Sequence, residues 1–266
     1  MHPFSDQQLM ELAIDLAKQA TILINEIREK GLIISTKSDL SPVTQADQAS
    51  ETLILQGLRK AVPSIPIIAE EEASEGIHTH IGSEFWLVDP LDGTKGFIRG
   101  SKNFTINIGL VRNHKPVLGV VALPAYQEIF CGIVGKGAWR IDKNGKTPIH
   151  VSTIPTNGFR IITSHNHVND PQLSKALQGF PTCSINAMGS AAKILRIAEG
   201  KADLHFRFNS IMEWDTAAPQ AILEAAGGYL RDFDNRPLQY GKEGSRIPPF
   251  FCSGTLINNY LSNLSD

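Results

Sequence analysis

The sequence contains few cysteines, and their spacing does not suggest that they form a disulfide or a shared metal site. Its 266 residues include three, Cys131, Cys183 and Cys252, which lie far apart in the chain without any Cys-x-x-Cys pair. An odd, scattered set argues against a disulfide framework, and it indicates neither a structural zinc site nor a dithiol redox motif. We therefore expect the protein in a reducing compartment, either cytoplasmic or peripheral at the inner membrane.

An excess of charge and a long hydrophobic run are also lacking. The 25 basic and 27 acidic side chains give a net charge of −2, so no global field favours nucleic acid or a membrane surface. No apolar stretch approaches the roughly 18 residues of a membrane span, and the first residues lack a signal-peptide pattern. We expect a small-molecule substrate, no nucleic acid partner and no integral membrane segment, and the sequence predicts no oligomeric state.

Hydrophobic periodicity predicts packing helices in the first part of the chain and a sheet after them. Helical spacing extends from Ser5 or Asp6 to Gly31, and again from Thr44 to about Ala61. Alternating segments between residues 103 and 141 predict antiparallel strands. From about residue 160 onward, strands alternate with helical patterns, which is typical of an α/β arrangement.

Two carboxylates follow a short apolar run near the middle of the first half. Phe85 to Val88 reads as a buried strand that Pro90 should end, which places Asp89 and Asp92 at the strand end. Carboxylate oxygens at this spacing suit Mg²⁺ or Mn²⁺. The alternative, which the spacing alone leaves open, is an ordinary Asp-Pro…Asp-Gly surface turn.

The residues after these carboxylates add a phosphate-binding feature. Gly93 permits a tight turn, and the backbone N–H groups of Gly93 and Thr94 would begin a helix, a position that favours a phosphate oxygen. The full segment D-P-L-D-G-T-K resembles the signature of the lithium-sensitive, Mg²⁺-dependent phosphatase superfamily that includes the inositol monophosphatases. Its Lys95 is most similar to the bisphosphate nucleotidase branch of that superfamily.

The resemblance carries expectations about fold and cofactor. It implies an α/β (α+β) protein with the layered α-β-α-β-α sandwich of the inositol monophosphatase and fructose-1,6-bisphosphatase type. We expect an N-terminal half over residues 1–150 with the antiparallel sheet and most metal ligands. The C-terminal half, residues 151–266, should carry substrate-binding elements and the last ligand. Two or more Mg²⁺ ions are implied as the cofactor, with Mn²⁺ as a substitute.

Asp47 lies in the first turn of the second predicted helix. An acid there complements the helix dipole and needs no functional reason. However, the segment S-P-V-T-x-x-D from Ser41 to Asp47 resembles a second element of the superfamily. The resemblance implies that Asp47 and Thr94 form the catalytic pair that activates water.

Two further acidic segments match the superfamily in order. Ala69-Glu70-Glu71 resembles the element whose first glutamate binds metal, although three glutamates at a strand end are also typical of a solvated turn. Trp214-Asp215-Thr216-Ala217-Ala218 resembles the element that supplies the last metal carboxylate, although Asp215 could simply cap a helix. The implied metal ligands are Glu70, Asp89, Asp92, Asp215 and the backbone carbonyl of Leu91.

Candidate substrate contacts come from the second half. Gly189-Ser190-x-x-Lys193 resembles a G-S-x-x-K element of the nucleotidase branch, and the alternative for Ser190 is a plain helix N-cap. Arg207-Phe208 stands where inositol phosphatases carry a glutamate, and a guanidinium beside an aromatic ring suits a nucleotide with a second phosphate. The alternative is a core residue beside a surface cation. The implied substrate-binding set is Glu70, Asp89, Leu91, Asp92, Gly93, Thr94, Ser190, Lys193, Arg207 and Asp215.

The resemblance implies a phosphoric monoester hydrolase. The leading function that it implies is a 3′(2′),5′-bisphosphate nucleotidase that removes the 3′-phosphate of adenosine 3′,5′-bisphosphate, with 3′-phosphoadenylyl sulfate as a second substrate. An inositol or other sugar monophosphatase with the same metal chemistry is the alternative. A third hypothesis is a non-catalytic protein that binds metal or nucleotide, for which the Asp47–Thr94 pair would have no use.

Overall fold

The helices and strands of the chain follow its changes of hydrophobic period. The structure, a computed structural model, describes residues 3–37 and 40–257. The helices are α1 (Asp6–Lys30), α2 (Gln45–Ala61), α3 (Glu70–Ser74), α4 (Thr94–Ile98), α5 (Pro171–Ala176), α6 (Ala192–Ala198) and α7 (Glu213–Ala225). One-turn 3₁₀ segments lie at Pro124–Tyr126, His165–His167 and Glu243–Ser245. The strands are β1 (Ile34–Thr36), β2 (Pro42–Thr44), β3 (Ile67–Ala69), β4 (Glu84–Asp92), β5 (Thr105–Arg112), β6 (Lys115–Leu123), β7 (Glu128–Ile133), β8 (Gly137–Asp142), β9 (Gly145–Ile149), β10 (Phe159–Thr163), β11 (Thr182–Ala187), β12 (Leu204–Arg207), β13 (Ile211–Met212), β14 (Tyr229–Asp232), β15 (Arg246–Ile247) and β16 (Phe250–Ser253).

Both predicted N-terminal helices are confirmed, and their ends have the expected caps. The Ser5 hydroxyl accepts a hydrogen bond from the N–H of Gln8 and begins α1, which ends at Gly31. Thr44 caps α2 by accepting the N–H of Ala46. Side-chain oxygens at these positions satisfy backbone donors that have no partner within the helix.

A seven-stranded sheet forms the first β layer, in the order β3-β4-β5-β6-β7-β8-β9. Strand β3 runs parallel to β4, and every other neighbouring pair is antiparallel, as the alternating pattern predicts. Strand β9 was not predicted, since its side chains are mostly exposed and lack an apolar face.

The prediction that Pro90 ends its strand is wrong, because β4 continues to Asp92. Opposite β5, Asp89 pairs with Asn107 and Asp92 pairs with Thr105, so β4 holds one extra residue at this point. Such a bulge tolerates a proline, which cannot donate to the ladder. In a regular strand, residues three apart face opposite sides, but the extra residue brings Asp89 and Asp92 onto the same side. The bulge therefore makes these two carboxylates neighbours.

The second β layer is a five-stranded sheet in the order β11-β10-β12-β16-β14. Strand β10 is parallel to both β11 and β12, whereas β16 is antiparallel to β12 and β14. Strands β10, β12 and β14 agree with the alternation of strands and helices predicted from about residue 160 onward, but β11 and β16 were not predicted. Strand β11 lies at the sheet edge and is largely exposed, so it shows little hydrophobic pattern.

Helices separate and cover the two sheets. Helices α1 and α2 pack on one face of the seven-stranded sheet, and α6 and α7 fill the space between the two sheets. Helix α5 covers the outer face of the five-stranded sheet. This order of layers is the α-β-α-β-α sandwich, so the fold class is confirmed. The division after residue 150 stays a prediction.

Two glycines allow α7 to lie close against the first sheet. A Cβ atom at Gly119 would come within 2.1 Å of the Ala218 carbonyl oxygen, and one at Gly109 within 2.7 Å of the Ala218 nitrogen. Larger residues would push the helix away from the sheet. The close approach sets the first turn of α7 beside the end of β4. In the described ranges, no helix is both long and apolar enough to cross a membrane.

Candidate active site

Three carboxylates meet between the end of β4 and the start of α7. One oxygen each from Asp89, Asp92 and Asp215 lies within 4.8 Å of the other two. Asp215 is the third residue of α7, and its Oδ2 accepts the Met212 N–H at 3.0 Å. Asp215 is thus not the N-cap residue itself, but its carboxylate does accept a backbone hydrogen bond at the helix start, as the alternative reading of this residue allowed.

Backbone hydrogen bonds fix the two carboxylates of β4. Asp89 Oδ1 accepts the N–H of Leu91 at 2.9 Å. Asp92 Oδ2 accepts the N–H of Ala191 at 2.6 Å and the hydroxyl of Thr105 at 3.3 Å. Since Ala191 precedes α6, this contact ties the second half of the chain to the carboxylate cluster.

The three clustered carboxylates have no salt-bridge partner among the described residues. Asp89 is 1% exposed, and burial, followed by the negative charges of Glu70, Asp92 and Asp215, holds its pKa well above the usual range. Burial and then the charge of Asp92 raise the pKa of Asp215 to about 7. Buried like charges are costly unless a cation lies among them, so this donor set fits a hard divalent cation.

The pH dependence of stability follows from these shifts. Because the folded-state pKa of Asp215 is raised from 3.8 to about 7, the folded state binds more protons than the unfolded state between these values. Its stabilising contribution is full below the lower value and is lost as the pH rises through the upper one. With chelator present, we expect the Tm to fall from about pH 5 to about pH 8, and to fall less in Asp215→Asn. A fall of equal size in both proteins, measured by thermal unfolding, would contradict this account.

Glu70, the fourth predicted ligand, begins α3 and faces the same cluster. Its charge contributes to the raised pKa of Asp89, which places it near that carboxylate. Its Oε1 also pairs with the Lys37 ammonium at 2.7 Å, and the same ammonium pairs with Glu71 at 2.7 Å. Glu72 instead pairs with Arg59 near the surface. Glu70 and Glu71 therefore share one cation, whereas Glu72 has a separate partner.

Asp47 on α2 and Thr94 at the start of α4 are in direct contact, although they lie 47 residues apart in the sequence. The Thr94 hydroxyl donates to Asp47 Oδ1 at 2.8 Å. The other oxygen, Oδ2, accepts the Thr44 N–H at 2.9 Å and the Thr44 hydroxyl at 2.6 Å. Asp47 is 2% exposed, so these contacts hold its carboxylate in one orientation. This is the geometry of a hydroxyl backed by a fixed base.

The Leu91 carbonyl and Gly93 connect this pair to the carboxylates. The Leu91 oxygen lies 3.1 Å from Thr94 Oγ1. Gly93 precedes α4 with a φ of 98°, and a Cβ there would come within 3.1 Å of the Asn103 carbonyl oxygen. Only glycine suits both the backbone conformation and the space.

Ser190, just before α6, and Lys193, within α6, lie beside Gly93 and the carboxylate cluster. A Cβ on Gly93 would lie 3.6 Å from the Ser190 Cβ, so the G-S element and the D-G-T element touch. Ser190 is not the N-cap, which is Ala191, although its hydroxyl accepts the Ala192 N–H at 3.3 Å. The Lys193 ammonium is buried and donates to the Ser190 carbonyl at 2.7 Å, and burial lowers its pKa to about 8.

Arg207 is the last residue of β12, and Phe208 follows it. The Arg207 guanidinium donates to the Asn209 carbonyl at 3.2 Å, and its charge also lowers the pKa of Lys193. The Phe208 ring stacks on Phe206 with centroids 6.1 Å apart and packs against Phe233. Phe208 therefore packs against the hydrophobic cluster between α5 and the five-stranded sheet, which agrees with the alternative that it is a core residue. Arg207 is half-buried beside it.

The site has supporting residues that the sequence analysis did not predict. Lys37 pairs with two glutamates, Ser50 donates to the Pro90 carbonyl at 3.0 Å, and Glu51 accepts backbone hydrogen bonds from α3. Helical spacing could have indicated Glu51, because it lies one turn after Asp47 and therefore on the same face of α2. An open cavity reaches Glu70 and Asp215 and is lined by residues 77–81 and 241–246.

The chain is similar to known proteins over most of its length. Residues 5–260 match the model of the Inositol monophosphatase family. The chain is 36% identical over 245 residues to the 3′(2′),5′-bisphosphate nucleotidase CysQ of Salmonella typhimurium, which covers 91% of this chain and 98% of that protein. The solved CysQ structure from Bacteroides thetaiotaomicron superposes with a TM-score of 0.78 at 30% identity, over 94% of this chain and 98% of that one. An inositol monophosphatase from Zymomonas mobilis superposes with a TM-score of 0.80 at 26% identity, over 99% and 100% of the two chains.

Proposed function

This chain belongs to the inositol monophosphatase family, and we propose that it is a Mg²⁺-dependent 3′(2′),5′-bisphosphate nucleotidase. The observation that carries the proposal is the meeting of Asp89, Asp92 and Asp215 beside the Asp47–Thr94 pair. A cation-binding cluster next to a hydroxyl held by a buried base supports hydrolysis by water. A protein that only binds its ligand would not need that pair.

The residues that would hold the metal are Glu70, Asp89, Asp92, Asp215 and the Leu91 carbonyl. All donate oxygen, and the repulsion that raises the pKa of Asp89 and Asp215 is what bound cations would relieve. Oxygen donors of this kind favour Mg²⁺, with Mn²⁺ as a substitute. When bound, such cations neutralise phosphate charge and make water a better nucleophile at neutral pH.

The protein's own contribution to the reaction is to orient water and move one proton. A water hydrogen-bonded to Thr94 Oγ1 can transfer a proton to that oxygen as the Thr94 proton passes to Asp47 Oδ1, 2.8 Å away. The water oxygen then bonds to phosphorus, the bond between phosphorus and the 3′-oxygen breaks, and the leaving oxygen takes up a proton. The products are a nucleoside 5′-phosphate and inorganic phosphate, without a covalent enzyme intermediate.

The substrate assignment rests on residues around the cluster and on the relatives. CysQ relatives carry the name of bisphosphate nucleotidases, and no acidic side chain occupies positions 207 and 208 here. Lys193 and Arg207 place two cations on the α6 side of the cluster. A second phosphate on the substrate would be favoured there, whereas an uncharged inositol ring would gain nothing from these charges. Gly93, Thr94 and Ser190 would contact the transferred phosphate.

A comparison of two substrates tests this assignment. Because solved relatives include inositol monophosphatases, inositol 1-phosphate is the informative competitor. With Mg²⁺, we expect kcat/KM for adenosine 3′,5′-bisphosphate to exceed that for inositol 1-phosphate by about 100-fold or more, which corresponds to two good charge-assisted contacts. In Arg207→Ala the preference should shrink, chiefly through KM. A preference for the inositol phosphate would overturn the nucleotidase assignment and leave the metal chemistry standing.

We place the enzyme in the cytoplasm, acting on a small diffusible phosphate ester and without nucleic acid. The three cysteines are unpaired, which is typical of a reducing compartment.

A further inference from the structure

Glu51 is a buried carboxylate that supports α3 from a neighbouring helix. It is 4% exposed, its Oε2 accepts the Glu71 N–H at 2.8 Å, and its Oε1 accepts the Glu72 N–H at 2.8 Å. Helix α3 has no side-chain cap of its own, because its N-cap residue is Ala69. Glu51 therefore supplies the acceptors that the first turn of this helix lacks.

Helix α2 makes equivalent contacts to two other segments of the site. Asp47, one turn before Glu51, accepts the Thr94 hydroxyl of α4. Ser50 donates to the Pro90 carbonyl within the bulge of β4 at 3.0 Å. These three buried side chains lie on one side of α2, since residues three and four apart are neighbours on a helix. The helix thus holds the starts of α3 and α4 and the end of β4 at fixed distances from one another.

We propose that Glu51 is a positioning residue for the metal centre, acting through α3 on Glu70. This inference rests on the proposed function, because it concerns a ligand of the proposed metal site. Glu70 is the first residue of α3, directly before the two N–H groups that Glu51 accepts. Without both acceptors the first turn would loosen, and the Glu70 carboxylate would spend less time directed at Asp89 and its neighbours.

The proposed role differs from ordinary helix capping in what it affects. A cap that only stabilised the fold would lower the Tm and leave metal affinity unchanged. A positioning residue lowers metal affinity in protein that remains folded, and outer residues that orient metal ligands typically change affinity by about 10- to 100-fold. The decisive readout is therefore binding of the metal alone.

The test is Mn²⁺ binding to Glu51→Gln by titration calorimetry, without substrate. The glutamine amide has one acceptor oxygen, so one backbone N–H would face an NH₂ group instead. We expect Kd for Mn²⁺ to rise by about 10- to 100-fold, with kcat at saturating Mg²⁺ within about threefold of the wild type. Half-saturation by Mg²⁺ in turnover should rise by the same factor as Kd.

Glu72→Gln is the matched control. It makes the same carboxylate-to-amide change close to α3, but the Glu72 side chain pairs with Arg59 and does not cap α3. We expect little change in Mn²⁺ affinity, so a loss in Glu51→Gln beyond that of the control reports the hydrogen bonds to the α3 backbone. Equal affinities in the two variants would overturn the proposal.

Glu51→Asp extends the test if the glutamine variant does not fold. The shorter carboxylate keeps the charge but cannot reach both N–H groups, so Mn²⁺ affinity should again fall. Wild-type affinity in folded Glu51→Asp would count against the positioning role. If the wild-type protein itself binds no Mn²⁺ and releases no phosphate, the proposed function fails together with this inference, whereas normal wild-type binding with unaffected variants rejects only the inference.

Discussion

Asp92→Asn is expected to lose at least about 10³-fold in Mg²⁺-dependent phosphate release, or roughly 4 kcal/mol of transition-state stabilisation. Asp92 is one of the three clustered carboxylates, and the substitution removes its charge with almost no change in shape. The loss should appear mainly in kcat, with weaker Mn²⁺ binding beside it. Steady-state kinetics over a wide range of Mg²⁺ concentration measures both effects.

The thermal stability of Asp92→Asn shows whether its loss of activity results from unfolding. The Asp92 charge contributes to the raised pKa of both Asp89 and Asp215, so its removal relieves repulsion in the metal-free protein. We expect the Tm of Asp92→Asn in chelator to equal or exceed that of the wild type. Asp142→Asn, which breaks an ion pair with Arg140 in β8, is the control and should keep normal activity. Activity in Asp92→Asn within about tenfold of the wild type would exclude Asp92 as a metal ligand.

The second large effect is expected from the Asp47–Thr94 pair. Asp47→Asn and Thr94→Ala should each lower kcat by about 10² to 10⁴-fold, because general-base assistance contributes about that much. Neither side chain belongs to the three-carboxylate cluster, so Mn²⁺ affinity should stay within about threefold of the wild type. Calorimetry for the metal and steady-state kinetics for turnover distinguish these two effects.

The double variant shows whether the two residues act together. If Thr94 transfers its proton to Asp47, then removing both residues should cost little more than removing one. Thr94→Ser keeps the hydroxyl and should retain most of the activity. Multiplicative losses in the double variant, or an Asp47→Asn variant with a near-normal rate, would exclude the pair as the route of the proton.

The strand that carries Asp89 and Asp92 shows how far sequence reasoning reaches. The apolar run and the two acids predicted a strand that ends in carboxylates, and the structure places both there. Pro90 predicted the wrong strand end, because a bulge accepts a residue without an N–H. The bulge also decides which side Asp92 faces, and that depends on pairing with β5, which local sequence does not reveal.

The family resemblance of short segments identified site residues that are far apart in the sequence and that hydrophobic patterns alone would not group together. Asp215 lies more than 120 residues after Asp89 and Asp92, and the packing of α7 on Gly109 and Gly119 brings it close to them. Glu51 and Lys37 escaped prediction for a related reason. Glu51 bonds to the backbone of a remote segment, and Lys37 pairs with distant glutamates, so neither has a local pattern.

Phosphate release from adenosine 3′,5′-bisphosphate decides whether this protein is a Mg²⁺-dependent bisphosphate nucleotidase. The reaction is followed by ³¹P NMR with and without Mg²⁺, which identifies both products. We expect the 3′-phosphate signal to disappear only with Mg²⁺, while a nucleoside 5′-phosphate and inorganic phosphate accumulate together. Release that continues in excess chelator, or loss of the 5′-phosphate in place of the 3′-phosphate, would rule out this function.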